Sequence, residues 1–219
     1  MEEIKYRLVR SNRRTLVIEI GSDGEVVVRA PARAPTARIE DFIRAKKDWI
    51  FRTVERQNRK SGAVGFSFSD GGRVKIFGND YEVRICDGKG RLEGNLVYLT
   101  KDAEKQSFSD LATDVLRNYL AIRVPAIACT NGFGYSKVSV TSATTRWGSC
   151  GRLNTLNFSR ALACLPLFAV DYVIVHELCH TRVRNHSSAF YAEVKKIMPD
   201  YRQAEKILKE NSFVSKIFD

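Results

Sequence analysis

The stretch Phe168-Ala169-Val170-Asp171-Tyr172-Val173-Ile174-Val175-His176-Glu177-Leu178-Cys179-His180 decides how the rest of the chain is read. Residues 168–175 are apolar enough for a buried helix. On a helix, positions i and i+4 share a face about one turn apart. His176 and His180 can therefore present both imidazoles to one tetrahedral ion at about 2.0–2.1 Å. Glu177 projects beside that ion, within reach of a bound water but not as a ligand. The chain has only three histidines, all within eleven residues. The third, His186, follows His180 across Thr181-Arg182-Val183-Arg184-Asn185, which is long enough to end one helix and turn back. Asn185 or Ser187 is then placed to cap the next helix. Three imidazoles with one open position form the pattern of a catalytic zinc site.

The residues leave alternatives open. The third ligand could be an acid such as Glu193. A structural zinc would favour cysteine ligands and a closed shell. Cys179 lies at the wrong helical angle to join His176 and His180, whereas Cys150 could approach the metal through folding. Asp171 reads as a charge near the helix N-terminus.

Working outward, Pro166 opens a helical C-terminal part, with helices expected over 167–182, 187–197 and 200–210. Before it, strands are expected at 136–142 and 153–158, joined by TTRWGSCGR. Residues 107–130 read as a helix, in which Pro125 should cause a kink or interruption. Short strands at 73–77, 81–85, 91–93 and 96–99, separated by GND and DGKG turns, read as a meander. The N-terminal part alternates in the period-2 manner at 6–10 and 14–20, turns at Ser22-Asp23-Gly24 and returns from Val26 to Arg29. Thr36 is a candidate N-cap for a helix running to about Gln57. That helix carries Ile39, Phe42, Ile43, Ile50 and Val54 on one face and Arg38, Arg44, Lys47, Arg52 and Arg56 on the other. Strand and helix blocks are segregated, so the expected class is α+β. The expected division is a β-rich region over 1–100, including the basic helix, and a metal-binding catalytic domain over 101–219.

Composition narrows the function classes. The apolar share is 44%, enough for a packed core. No apolar run is long enough to span a membrane, and MEEIKYRLVR does not read as a secretory signal. The cysteines Cys86, Cys129, Cys150, Cys164 and Cys179 are scattered, with no CxxC pair, so the expectation is reduced thiols, mostly small buried hydrophobes, in a cytoplasmic protein. Net charge is +11. Residues 1–60 hold 15 Lys+Arg against 9 Asp+Glu. Such an excess suits an acidic partner, here a nucleic acid or nucleotide, through Arg13, Arg14 and the basic helix.

The runs Arg146-Trp147-Gly148-Ser149-Cys150, Asp171 through His180, and Asn185-His186-Ser187 together resemble the YgjP-like family of metallopeptidases, which are related to SprT-like and WLM zincins. Arg10-Ser11-Asn12-Arg13-Arg14 and Lys47-Asp48-Trp49-Ile50 resemble that family's N-terminal part. The resemblance implies a zincin-like helical core, to which the residue pattern adds an N-terminal β-rich region and an antiparallel sheet. It also implies Zn²⁺ on His176, His180 and His186, with Glu177 catalytic. Metzincins, by contrast, place Gly where this chain has Val183.

The expected function is a zinc-dependent hydrolase of peptide or protein substrates, with Glu177 activating a zinc-bound water. Arg146 is the first candidate oxyanion donor and Tyr201 the second. Two other readings stay open. One is metal-dependent hydrolysis of a nucleotide or other non-peptide substrate, although no P-loop is present. The other is a nucleic-acid-binding module with secondary hydrolase activity.

Overall fold

The computed structural model describes residues 4, 6–13, 15–20, 26–51, 53 and 66–218. The Ser22-Asp23-Gly24 turn, Arg14, Arg52 and the end of the first expected helix lie outside them. The chain forms two compact units, Met1–Gly65 and Phe66–Asp219.

The first unit holds β1 (Arg7–Ser11), β2 (Val17–Ile20), β3 (Val26–Pro31) and α1 (Thr36–Ala45). β3 is central, parallel to β1 and antiparallel to β2. Its Val26, Val28 and Ala30 pack with Ile39 and Ile43 of α1 and with Ile50, forming one apolar core. Thr36 is the first helical residue, and Pro35 holds the cap position that the sequence suggested for Thr36. A turn at Lys46 separates α1 from further helix over 47–51. Arg10 donates to the carbonyls of Pro31, Ala32 and Ala34, at 2.8 Å for the last, so it clamps the turn ahead of α1.

In the second unit, β4 (Arg73–Ile76), β5 (Asn79–Cys86), β6 (Arg91–Glu93) and β7 (Leu96–Thr100) form a sheet in the order β4-β5-β7-β6. The expected meander is therefore replaced by a crossover, with β5 parallel to β7. The side chains explain the order. β7 carries Val97 and Leu99, both fully buried, and takes the interior position. β6 presents Arg91 and Glu93 to solvent and takes the edge.

Next comes α2 (Glu104–Asn131), unbroken through Pro125. Pro125 and Ala121, whose carbonyl loses its partner, both lie on the exposed face. Solvent can satisfy that carbonyl, so the expected interruption does not occur. Gly132, at φ 65°, ends the helix in the left-handed conformation that glycine adopts without strain.

A third sheet joins β8 (Lys137–Thr141), β9 (Gly148–Cys150) and β10 (Thr155–Ser159) in the order β8-β10-β9. β10 runs parallel to β8 and antiparallel to β9. All three sheets are thus mixed, where an antiparallel sheet was expected. The TTRWGSCGR link contains β9, which is only three residues long and is fixed by pairing of Cys150 with Leu156 and Gly148 with Phe158.

A 3₁₀ turn (Arg160–Cys164) leads to α3 (Leu167–Cys179), α4 (Ser188–Ile197), α5 (Tyr201–Glu210) and a closing 3₁₀ turn (Val214–Phe218). The fold class is α+β, as expected. The unit boundary falls at 65/66, and the 73–100 strands pack with α2. Phe66 and Phe68 pack on Phe108 at 6.1 and 5.2 Å, and the Thr100 amide donates to Ser107 Oγ at 3.0 Å. Among the described residues, no helix is long and apolar enough to cross a membrane.

Candidate metal centre

α3 starts after Pro166 and is buried along most of its length, as its apolar run dictates. His176 stands one turn before its end, and His180 is its C-terminal cap residue. The chain then turns tightly, with Val183 N–H donating to Cys179 O at 2.9 Å, and brings His186 back over the helix end. Ser187 holds the cap position of α4, but its side chain makes no capping bond.

The three imidazoles converge. His186 Nε2 lies 3.0 Å from His176 Nε2 and 3.1 Å from His180 Nε2. One ligand atom from each residue falls within 4.8 Å of the others. Two nitrogens that each lie about 2.0–2.1 Å from a tetrahedral ion stand about 3.3 Å apart. The donor set therefore fits a divalent cation closely. Phe190 of α4, fully buried, backs all three rings at 4.8, 4.5 and 4.9 Å from His176, His180 and His186.

Outer contacts orient the rings. His180 Nδ1 lies 3.0 Å from Val183 O, and His176 Nδ1 lies 3.3 Å from the Tyr172 hydroxyl. Tyr172 donates in turn to Glu205 Oε1 at 2.9 Å. Burial, reinforced by His180 and His186, lowers the His176 pKa to about 3. Burial also lowers that of His180, with His186 and Arg184 adding to it and the Val183 carbonyl opposing. Both rings are thereby kept neutral, the form that ligates metals.

Glu177 is buried, and burial pushes its carboxyl up to about 7 against the opposing charge of Arg146. Among the described residues, its Oε2 has no hydrogen-bond partner. A buried, unpaired carboxylate oxygen beside a cluster of metal-ligand type marks a place for a polar ligand or water. Gly148 of β9 makes that position possible. A Cβ there would lie 2.7 Å from Glu177 Oε1 and 2.8 Å from its Cγ.

Arg146, Trp147 and Gly148 face Tyr172, Val173, His176, Glu177, Glu205 and Leu208 across a cleft of about 360 Å³. Arg146 is exposed at this cleft. Tyr201 does not line it; its ring stacks on Tyr172 at 6.2 Å and Tyr191 at 5.7 Å.

A family model described as "YgjP-like, metallopeptidase domain" matches residues 14–211. The chain belongs to the YgjP-like family. Membership makes it a metallopeptidase-type protein, implying a divalent metal and peptide or protein substrates. Among solved structures, the crystal structure of the metallopeptidase zymogen of Pyrococcus abyssi abylysin is similar at TM-score 0.38 and 19% identity, over 42% of this chain and 93% of that one. No curated protein matches.

The other sequence candidates have different occupations. Glu193 pairs with Arg182 at 3.2 Å and Lys196 at 2.6 Å, and does not join the histidines. Cys150 receives a hydrogen bond from Arg184 at 3.4 Å. Asp171, expected as a helix-end charge, accepts from Tyr119 at 2.7 Å and Arg123 at 2.6 Å, tying α3 to α2. All five cysteines are free, but only Cys164 and Cys179 are buried. The expectation that most are core hydrophobes fails because Cys129 lies on the exposed face of α2 and Cys86 at a strand end. Sequence reading missed Phe190, Tyr172, Gly148 and Glu205. Only Tyr172 had a visible signal, four residues before His176 on the same helical face.

Proposed function

We propose that this protein is a zinc-dependent peptidase, with the metal held by His176, His180 and His186 and with Glu177 as general base. The observation carrying this reading is the convergence of three imidazole Nε2 atoms beside a buried carboxylate that has one oxygen unpaired. When bound, zinc supplies a Lewis acid and lowers the pKa of a water in its open position to about 7. Glu177 accepts the proton of the attacking water and returns it to the leaving amine. Gly148 leaves room for the carboxylate, and Phe190 backs the three rings. Arg146 donates to the developing oxyanion from the cleft rim. The outer edge of β9 offers backbone groups to an extended peptide, because among the described residues β9 pairs with β10 alone.

The test is hydrolysis of casein by wild type and Glu177→Gln, each with and without chelator, beside a nucleotide panel under the same conditions. Chelator-sensitive cleavage of casein, reduced about 10²–10⁴-fold in Glu177→Gln with zinc still bound, is expected. An active Glu177→Gln protein removes the general-base role. Chelator-sensitive turnover of nucleotides, with casein untouched, transfers the same site to a different bond.

A further inference from the structure

His176 and His180 need the same tautomer, with the proton on Nδ1 and the Nε2 lone pair turned toward the cluster. For His180 the backbone supplies the reason. A carbonyl can only accept, so Val183 O at 3.0 Å requires Nδ1–H. Among the described residues, no such carbonyl meets His176 Nδ1. Its Nδ1 faces the Tyr172 hydroxyl, which can either donate or accept. Glu205 removes that ambiguity. The Tyr172 O–H donates to Glu205 Oε1 at 2.9 Å. The phenol oxygen is then left to accept from His176 Nδ1–H, and Nε2 carries the lone pair.

We propose that Glu205 and Tyr172 are positioning residues that fix the tautomer and ring direction of His176. They thereby set the affinity of the three-histidine site for a divalent cation. The proposal rests on the reading of His176, His180 and His186 as metal ligands. The geometry of the helices supports it. α5 lies against α3 with Ala204 and Leu208 buried, which holds Glu205 over Tyr172 from a separate element. Tyr172 stands four residues before His176, so its hydroxyl meets that ring edge-on, with centroids 5.6 Å apart. The last turn of the metal helix is thus governed from a residue 29 positions downstream of His176.

The logic separates variants that a merely structural role would not. Glu205→Gln retains a carbonyl acceptor and preserves the direction of the chain. Glu205→Leu frees the Tyr172 hydroxyl to donate to Nδ1, which favours the wrong tautomer. Tyr172→Phe removes the hydroxyl, so Glu205→Leu should add nothing in that background.

The experiment is a zinc titration of the metal-free full chain against a competing chelating dye, for wild type, His176→Ala, Tyr172→Phe, Glu205→Leu, Glu205→Gln and the Tyr172→Phe/Glu205→Leu double variant. Tyr172→Phe and Glu205→Leu should each weaken zinc binding about 10–100-fold, with Glu205→Gln near wild type. The double variant should match Tyr172→Phe. Ring-nitrogen NMR of the metal-free protein supplies a second readout, because only three histidines contribute. His176 should show the Nδ1–H tautomer in wild type and Glu205→Gln, and lose it in Glu205→Leu. Wild type and His176→Ala binding zinc alike would overturn the ligand reading itself. Tight wild-type binding, lost in His176→Ala but unchanged in Tyr172→Phe and Glu205→Leu, would overturn the positioning role alone. So would independent losses that add in the double variant. If Tyr172→Phe destabilises the fold, the contrast between Glu205→Leu and Glu205→Gln still decides.

Discussion

Two hollows of nearly equal size lie in the two units, and only one of them has the makings of a reaction site. The first, about 380 Å³, is lined by Thr15, Leu16, Pro31, Ala34, Arg38 and Phe42. The second, about 360 Å³, is the cleft over His176 and Glu177. Among the described residues, the first holds one charged side chain, Arg38, and no converging donors. The second gathers Arg146, Tyr172, His176, Glu177 and Glu205, and burial shifts three of these from their ordinary proton affinities. Volume alone does not make a site. Polar groups withdrawn from water and aimed at a common point do, because low dielectric strengthens each interaction among them.

Paired substitutions can break that contrast. Phe190→Ala should be the most damaging to the second unit, costing about 3–5 kcal/mol of stability. Zinc affinity should fall with it, because all three rings lose their backing; thermal melts and dye competition read both. Ile39→Ala, fully buried in the first unit, should cost about 2–5 kcal/mol while leaving zinc affinity unchanged. Equal loss of zinc in the two variants would erase the distinction.

Gly148→Ala sharpens the comparison within the cleft. The added Cβ would displace the Glu177 carboxylate. Peptidase turnover should therefore fall about 10²-fold, with zinc retained. Asp171→Asn should have the smallest effect. It weakens the Tyr119 and Arg123 contacts between α3 and α2 and should cost about 1–3 kcal/mol in urea unfolding, with the metal site intact.

The charge of the first unit was the loudest compositional signal, yet it concerns surface. Arg10 is spent on backbone carbonyls, Arg29 on Glu19 at 2.8 Å and Arg44 on Asp41 at 3.5 Å. Exposed charges of this kind are screened and contribute little to stability. The site's signal was quieter in composition but sharper in spacing.

His176, Glu177 and His180 were legible because helical periodicity is local: four residues make one turn whatever surrounds them. The segregation of strands and helices was legible for the same reason, and it gave the α+β class. Strand order was not. A period-2 pattern says which residues share a face, but not whether β5 pairs with β6 or with β7, and burial of Val97 and Leu99 decided that. Nor could spacing reveal that Phe190 backs three rings, that Gly148 makes room for Glu177, or that Glu205 reaches Tyr172. Those contacts join elements distant in the chain, and their partners are fixed only when the helices and the short β9 strand pack together.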